Sequence, residues 1–312
     1  MLTRSKGRKV SEEGLAEVLS RHGIDAPSLE LLFSPDGHEV YGLTVPGARA
    51  LATWGELRDL SEQTGYWPVI LGGDEEVKLH REAIEDVRVE TSVEEIISRA
   101  NDVEIDTLWQ ERYLLSLPIE GPEMEAYASL LSSGHSPGSA EETAAWDRVA
   151  RRFEGRPEEK RAAIDKHLRG IMGTWPEAAE PHNYFSIPYA WTDDFTRLEP
   201  LPSVRVALVP TTAAWEVPAY LKFGGWNDCP APHEHVAVLK HWHELYGAQL
   251  VGLAHDVLEL GVTRPPKDRT GALIAALEQY AYCPDLVDQG TESLAALAAT
   301  LQDASVWYAW WD

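Results

Sequence analysis

VLKHWHELYGAQLVGLAHDVLELGV, residues 238–262, decides the fold. Val238, Leu239, Trp242, Leu245 and Tyr246 recur at helical spacing, and Gly247 stops the pattern. Residues 250–254 and 257–262 then read as two strands in quick succession. Upstream, residues 204–209 form an apolar strand. Downstream, Pro265 and Pro266 break the chain and Asp268 caps a helix that turns Leu273, Ile274, Leu277 and Ala281 inward. Leu294, Leu297 and Leu301 mark a further helix, and residues 305–311 close the segment as an aromatic strand. Both faces of that last strand are apolar, which predicts an interior position in the sheet. The order is β-α-β-β-α-α-β, an α+β arrangement of a mixed sheet with covering helices.

Working outward, the N-terminal part carries its own alternation of helix and strand. Leu15, Val18 and Leu19 follow Ser11 as a cap and precede Gly23 as a stop. A strand at 39–46 leads to a helix at 48–64 through Leu51, Trp54, Leu57 and Leu60, and then to a strand at 66–71. Val93, Ile96 and Ile97 mark a helix capped by Thr91 or Ser92, with helical pattern again at 105–115. The expected organisation is a disordered basic tail (1–10), an N-terminal α/β segment (11–120) and a flexible linker (121–143) rich in Ser, Gly and Pro. A helical then irregular insertion (144–203) and a C-terminal domain (204–312) follow. A helix, a glycine and an apolar strand follow a tryptophan at both 54–71 and 242–254, a unit common enough to recur by coincidence.

With 51 acidic against 27 basic residues, the formal net charge is -24. Such a surface repels phosphates and anionic membranes, so neither nucleic acid nor a membrane is an expected partner. No run is long enough to span a bilayer, and the basic start is followed by Ser11, Glu12 and Glu13 rather than an apolar stretch. Only two cysteines occur, which fits a reducing compartment, and the expected location is cytoplasmic. The 12 tryptophans read chiefly as large core residues with bonded indole N–H groups.

PAYLKFGGWNDCP at 218–230, WHELYGA at 242–248 and EQYAYCPDLVDQG at 278–290 are the most distinctive stretches of the chain. Through them, residues 218–312 resemble the bacterial domain-of-unknown-function family 4253. WYAWWD at 307–312 is similar to that family's ending, and VPGARALATWGELRDLSEQTGYWPVILG at 45–72 is similar to a segment often found upstream. The resemblance implies a domain boundary and no particular activity, cofactor or catalytic residue.

Two of these loops hold the candidate pocket residues: Trp226, Asn227, Asp228 and Cys229 in the first, and Glu278, Tyr282, Cys283, Asp285, Asp288 and Gln289 in the second, with His235 between them in sequence. The glycine-rich loop leads into a helix, a geometry that can cradle an anion, but Asp228 opposes one and no phosphate-binding fingerprint is present. It reads better as a tight turn displaying Trp226. His233, His235, His241, His243 and His255 lie near Cys229, Cys283, Asp256 and Glu259. The His-x-His pairs put their rings on opposite sides of a helix, and neither cysteine has a C-x-x-C partner, so no metal and no cofactor is expected. Cys283 as nucleophile with His235 as base is the enzymatic alternative; a buried, inert cysteine is the structural one. Because each cysteine precedes a proline at the end of a distinctive loop, the two loops are expected to be neighbours framing one pocket.

No complete catalytic set emerges, while aromatics and solvated acids, the ingredients of recognition surfaces, are plentiful. The expectation is therefore a cytoplasmic interaction module with a possible protein partner. The alternatives are a hydrolase-like enzyme using the two loops, or an antitoxin-like acidic protein that binds a basic partner.

Overall fold

The computed structural model describes residues 12–24, 29–85, 91–117, 156–192 and 196–312. The expected tail at 1–10, the Ser11 cap and the linker at 121–143 lie outside them.

Chain order runs α1 (Glu12–Arg21), β1 (Glu30–Phe33), β2 (Val40–Val45), α2 (Gly47–Asp59), α3 (Ser61–Thr64), β3 (Trp67–Gly72), α4 (Asp74–Glu85), α5 (Val93–Asn101) and α6 (Ile105–Leu115). It continues with α7 (Pro157–Gly170), β4 (Tyr189–Trp191), β5 (Leu198–Pro200), β6 (Val204–Val209), α8 (Val217–Leu221) and α9 (Pro232–Tyr246). The chain closes with β7 (Ala248–Leu253), β8 (Val257–Val262), α10 (Arg269–Tyr282), α11 (Leu294–Leu301) and β9 (Val306–Trp310). The fold is α+β: seven strands form one mixed sheet in the order β1-β2-β6-β3-β7-β8-β9, with helices packed on it, and β4 and β5 form a separate small ribbon. Every pairing in the large sheet is antiparallel except β3 with β7, which meet in parallel at Ile70 and Gly252.

The N-terminal segment and the last third share this sheet, because β6 lies between β2 and β3 and β7 lies on the far side of β3. All six residues of β3 are buried, as are five of the six in β6, which fits Val, Ile and Leu runs at the sheet centre. The Trp67 indole N–H donates to Leu250 O at 3.0 Å and ties the halves together. The two helix-glycine-strand units therefore end in adjacent, parallel strands.

Local signals place the helices as expected. Ser92 accepts Glu95 N–H, Asp268 accepts Gly271 N–H and Ser293 accepts Ala296 N–H at three helix starts. Gly247 takes a φ of 62° to end α9, and a Cβ there would come within 2.0 Å of Thr263 Oγ1. Three expectations need correction. Leu245 is 50 % exposed and Ile274 51 % exposed, so neither belongs to an inward stripe. Ala281 is buried as expected and Leu273 and Leu277 pack partly buried on the core, while the rest of the buried face of α10 is Ala272, Ala275, Ala276, Gln279, Tyr280 and Tyr282, because small residues let α10 pack closely against α11. Finally, among the described residues β9 is an edge strand that pairs only with β8. Its second apolar face is explained by a chain segment rather than by another strand: residues 182–187 lie across it. His182 N–H bonds Thr300 O, and Asn183 Oδ1 accepts both Ser305 N–H and its hydroxyl. Elements not read from the sequence are β1, α4, α8 and the β4–β5 ribbon.

Candidate functional site

The two distinctive loops do meet. Within the first loop, Gly224, at a φ of 106°, lets the chain fold tightly back on itself: a Cβ there would stand 2.1 Å from Pro230 O and 2.6 Å from the His235 ring. That bare backbone lets His235, fully buried on the first turns of α9, reach both sides of the junction. Its Nε2 lies 3.4 Å from Cys229 Sγ, and its Nδ1 lies 2.5 Å from the Tyr282 hydroxyl. A neutral ring satisfies the set when Cys229 S–H donates to Nε2 and Nδ1–H donates to the Tyr282 oxygen. Arg112, from α6, clasps the loops together by donating to the backbone carbonyls of Asp228, Ala281 and Tyr282. Trp311 and Phe223 close the ring stack around His235 at 5.5 and 4.9 Å.

This knot is buried, and burial opposes ionisation of its cysteine and histidine. Burial pushes the Cys229 thiol well above its ordinary value despite Arg112, and burial, then Arg112, pushes His235 well below its own. A thiolate–imidazolium pair, the reactive form of such a couple, is therefore disfavoured on both sides. The expected pairing of Cys283 with His235 does not occur. Cys283, pushed up to about 12 by burial, donates its S–H to Trp310 O at 2.8 Å, and it is Cys229 that faces the histidine. The reason is geometric: Cys283 ends α10 pointing at β9, on the other side of Tyr282.

The remaining candidates disperse around the knot. Trp226 is half-buried, edge-on to Phe223 at 5.1 Å. Asn227 donates to Asp312 O at 2.6 Å, and Asp312 N–H and Gln289 both donate to Asp285. Asp228 exposes its side chain. Glu278 accepts from the Trp242 indole at 2.8 Å and contacts His241 Nε2 at 3.2 Å, while Asp288 accepts from the Tyr280 hydroxyl at 3.4 Å. The other histidines are scattered too: His243 bonds Ala248 O, His255 contacts Glu76, and His233 lies beside Arg99.

Among the described residues, His235, Tyr282 and Arg112 occupy the junction between the two loops. An open cleft of about 390 Å³ lies next door, along β9 and the C-terminal end of α10. Its walls are aromatic: Tyr184 from the segment over β9, Trp191 from β4, and Tyr308 and Trp310 from β9 itself, with Leu198 and Leu301 beside them. Of the candidate residues only Asp285 lines it. Its floor carries unspent hydrogen-bonding capacity. Gln279 is 2 % exposed and Trp307 1 % exposed, yet among the described residues neither atom of the Gln279 amide nor the Trp307 indole N–H has a partner; His182 Nε2 is in the same condition. Among the described residues, no Lys or Arg lines the cleft.

The segment forming the outer wall is fixed by a buried carboxylate. Glu259 on β8, 1 % exposed, accepts Ser186 N–H, the Ser186 hydroxyl at 2.6 Å and Ile187 N–H at 3.3 Å. Burial raises its carboxyl, and those three donors pull it back. Sequence reading missed this site because residues 182–198 have no periodicity. Their only signal was an aromatic-rich composition in an irregular stretch.

Residues 205–312 match the model of a family described as a domain of unknown function, DUF4253, which takes in β6 through β9 and the whole Cys229–His235–Tyr282 knot. No curated protein and no solved structure matches the chain.

Proposed function

We propose that the protein is a cytoplasmic interaction module, and that the aromatic cleft beside β9 is where it engages its partner. The observation that carries this reading is the pairing of an open apolar cleft with buried, unpartnered polar groups on its floor. A buried amide with no hydrogen bond costs about 1–3 kcal/mol, and Gln279 would have to turn toward the cleft for a ligand with complementary groups to recover it. Aromatic walls supply contact area at low conformational-entropy cost. For the described residues, no helix is long and apolar enough to cross a membrane. The hydrolase-like alternative would need an ionised Cys229–His235 pair, which the burial of both groups opposes.

The test is a ligand-observed NMR screen of aromatic and heteroaromatic fragments. Hits should weaken about tenfold in Trp191→Ala or Tyr184→Ala, a loss of the size expected when an aromatic contact is removed. Both side chains are about half exposed, so the melting temperature should shift by less than about 3 °C. Fragments that bind equally well to both variants would place recognition elsewhere on the molecule.

A further inference from the structure

The cleft follows the free edge of the sheet. Val262 N–H bonds Ser305 O at 2.8 Å and Trp311 N–H bonds Asp256 O at 3.2 Å. The β8–β9 register runs from Gly261 opposite Val306 to Val257 opposite Trp310. In an antiparallel pair, alternate residues turn their backbone groups toward the partner strand. Residues 305, 307, 309 and 311 therefore bond β8, and the N–H and C=O of Val306, Tyr308 and Trp310 point outward. Cys283 caps the Trp310 carbonyl. Among the described residues, the outward groups of Val306 and Tyr308 meet no strand.

An unpaired edge of this kind is a template for a further strand. The lining of the cleft fits that use, because it draws on residues from both faces of β9: Trp307 on one, Tyr308 and Trp310 on the other. A groove on one face of a sheet would be lined from that face alone. A strand laid beside β9 would place its alternate side chains on the two sides, one set toward Gln279 and Trp307, the other toward Tyr184, Trp191 and Tyr308. The charge around it is one-sided: among the described residues Asp285 lines the cleft and no basic residue does, and the chain carries -24 overall.

Building on the cleft as the binding site, we infer that its occupant is an extended, neutral-to-basic peptide segment of a partner protein, added to β9 as an eighth strand. The backbone supplies the affinity common to all such segments. Asp285 and the aromatic walls select a Lys or Arg and apolar residues at alternating positions.

Random seven-residue peptides displayed on phage are the probe, with fragment binding measured in parallel. Enriched peptides should be rich in Lys or Arg with alternating apolar residues. Resynthesised with N-methyl groups on alternate amides, they should lose about tenfold or more in affinity in one phase of methylation and little in the other. Tyr308→Pro, which deletes one outward N–H and spares the bonds to β8, should weaken binding similarly, while Tyr308→Val should cost less. Enriched peptides whose affinity ignores methylation in both phases would overturn strand addition, as would an acidic consensus. A library that yields no binder while fragments still occupy the cleft would also overturn it, leaving the cleft as a site for another ligand. If neither peptides nor fragments bind, both readings fall. The methylation series needs no variant, so the outcome does not depend on Tyr308→Pro folding.

Discussion

His235 shows how far a single side chain's surroundings can reverse its usual chemistry. An exposed histidine beside a cysteine is a plausible base; fully buried, with Arg112 near and Tyr282 and Cys229 as its partners, this one is held neutral. Its folded-state affinity for protons lies well below the ordinary 6.5 it regains on unfolding. As pH falls below that value, the unfolded chain binds a proton that the folded chain does not, so stability is lost on acidification. The slope approaches about 1.4 kcal/mol per pH unit for this one group. His80, also buried and also lowered, adds to the trend. Urea denaturation between about pH 7 and pH 5 should show that decline in the native protein, and His235→Gln should flatten it by up to one proton's worth, whatever its effect on absolute stability. An unchanged slope would mean that His235 takes up its proton in the folded state.

Among the elements, the segment from His182 to Ile187 matters most, because it is the wall of the cleft and has no secondary structure of its own. Its attachment depends on Glu259. Glu259→Ala would leave two backbone N–H groups and a hydroxyl without their acceptor, at a cost of about 2–4 kcal/mol, and Glu259→Gln should cost less by keeping one acceptor oxygen. Hydrogen exchange at Ser186 and Ile187 should accelerate in Glu259→Ala well before exchange in β7 does. This dependence also explains what could be read from sequence. The strands and long helices were legible because Val, Leu and Trp recur locally at periods of two or 3.6 and because Gly247 and Asp268 punctuate them. The place of β9 was not legible. Two apolar faces require two covers, and the sequence does not say whether a cover is a strand, a helix or an irregular segment. Arg112 was missed for a related reason: a lone arginine in an amphipathic helix carries no mark of the three distant carbonyls it will bind. The neighbourhood of the two cysteine loops could be guessed; which cysteine faces His235 could not, since that depends on where α10 stops.

At the scale of the molecule, the feature that governs behaviour is the interleaving of the sheet. The family match begins at residue 205, yet β6 finds both of its partners, β2 and β3, outside the matched region. Residues 205–312 produced alone should therefore lack a cooperative thermal transition, and co-expression with residues 1–204 should restore one. A monomeric fragment that melts cooperatively would show that β7, β8 and β9 with their helices suffice. The same interleaving has a consequence during synthesis. β3 is complete at Gly72, but the strand that flanks it on one side ends at Val209 and the one on the other at Leu253. At ordinary rates of translation the most apolar strand of the sheet waits on the order of ten to thirty seconds for its first neighbour to be made. During that interval Trp67, Val69 and Ile70 are a sticky segment on a nascent chain, so yield in the cell should depend on whatever holds that segment until residue 209 has left the ribosome.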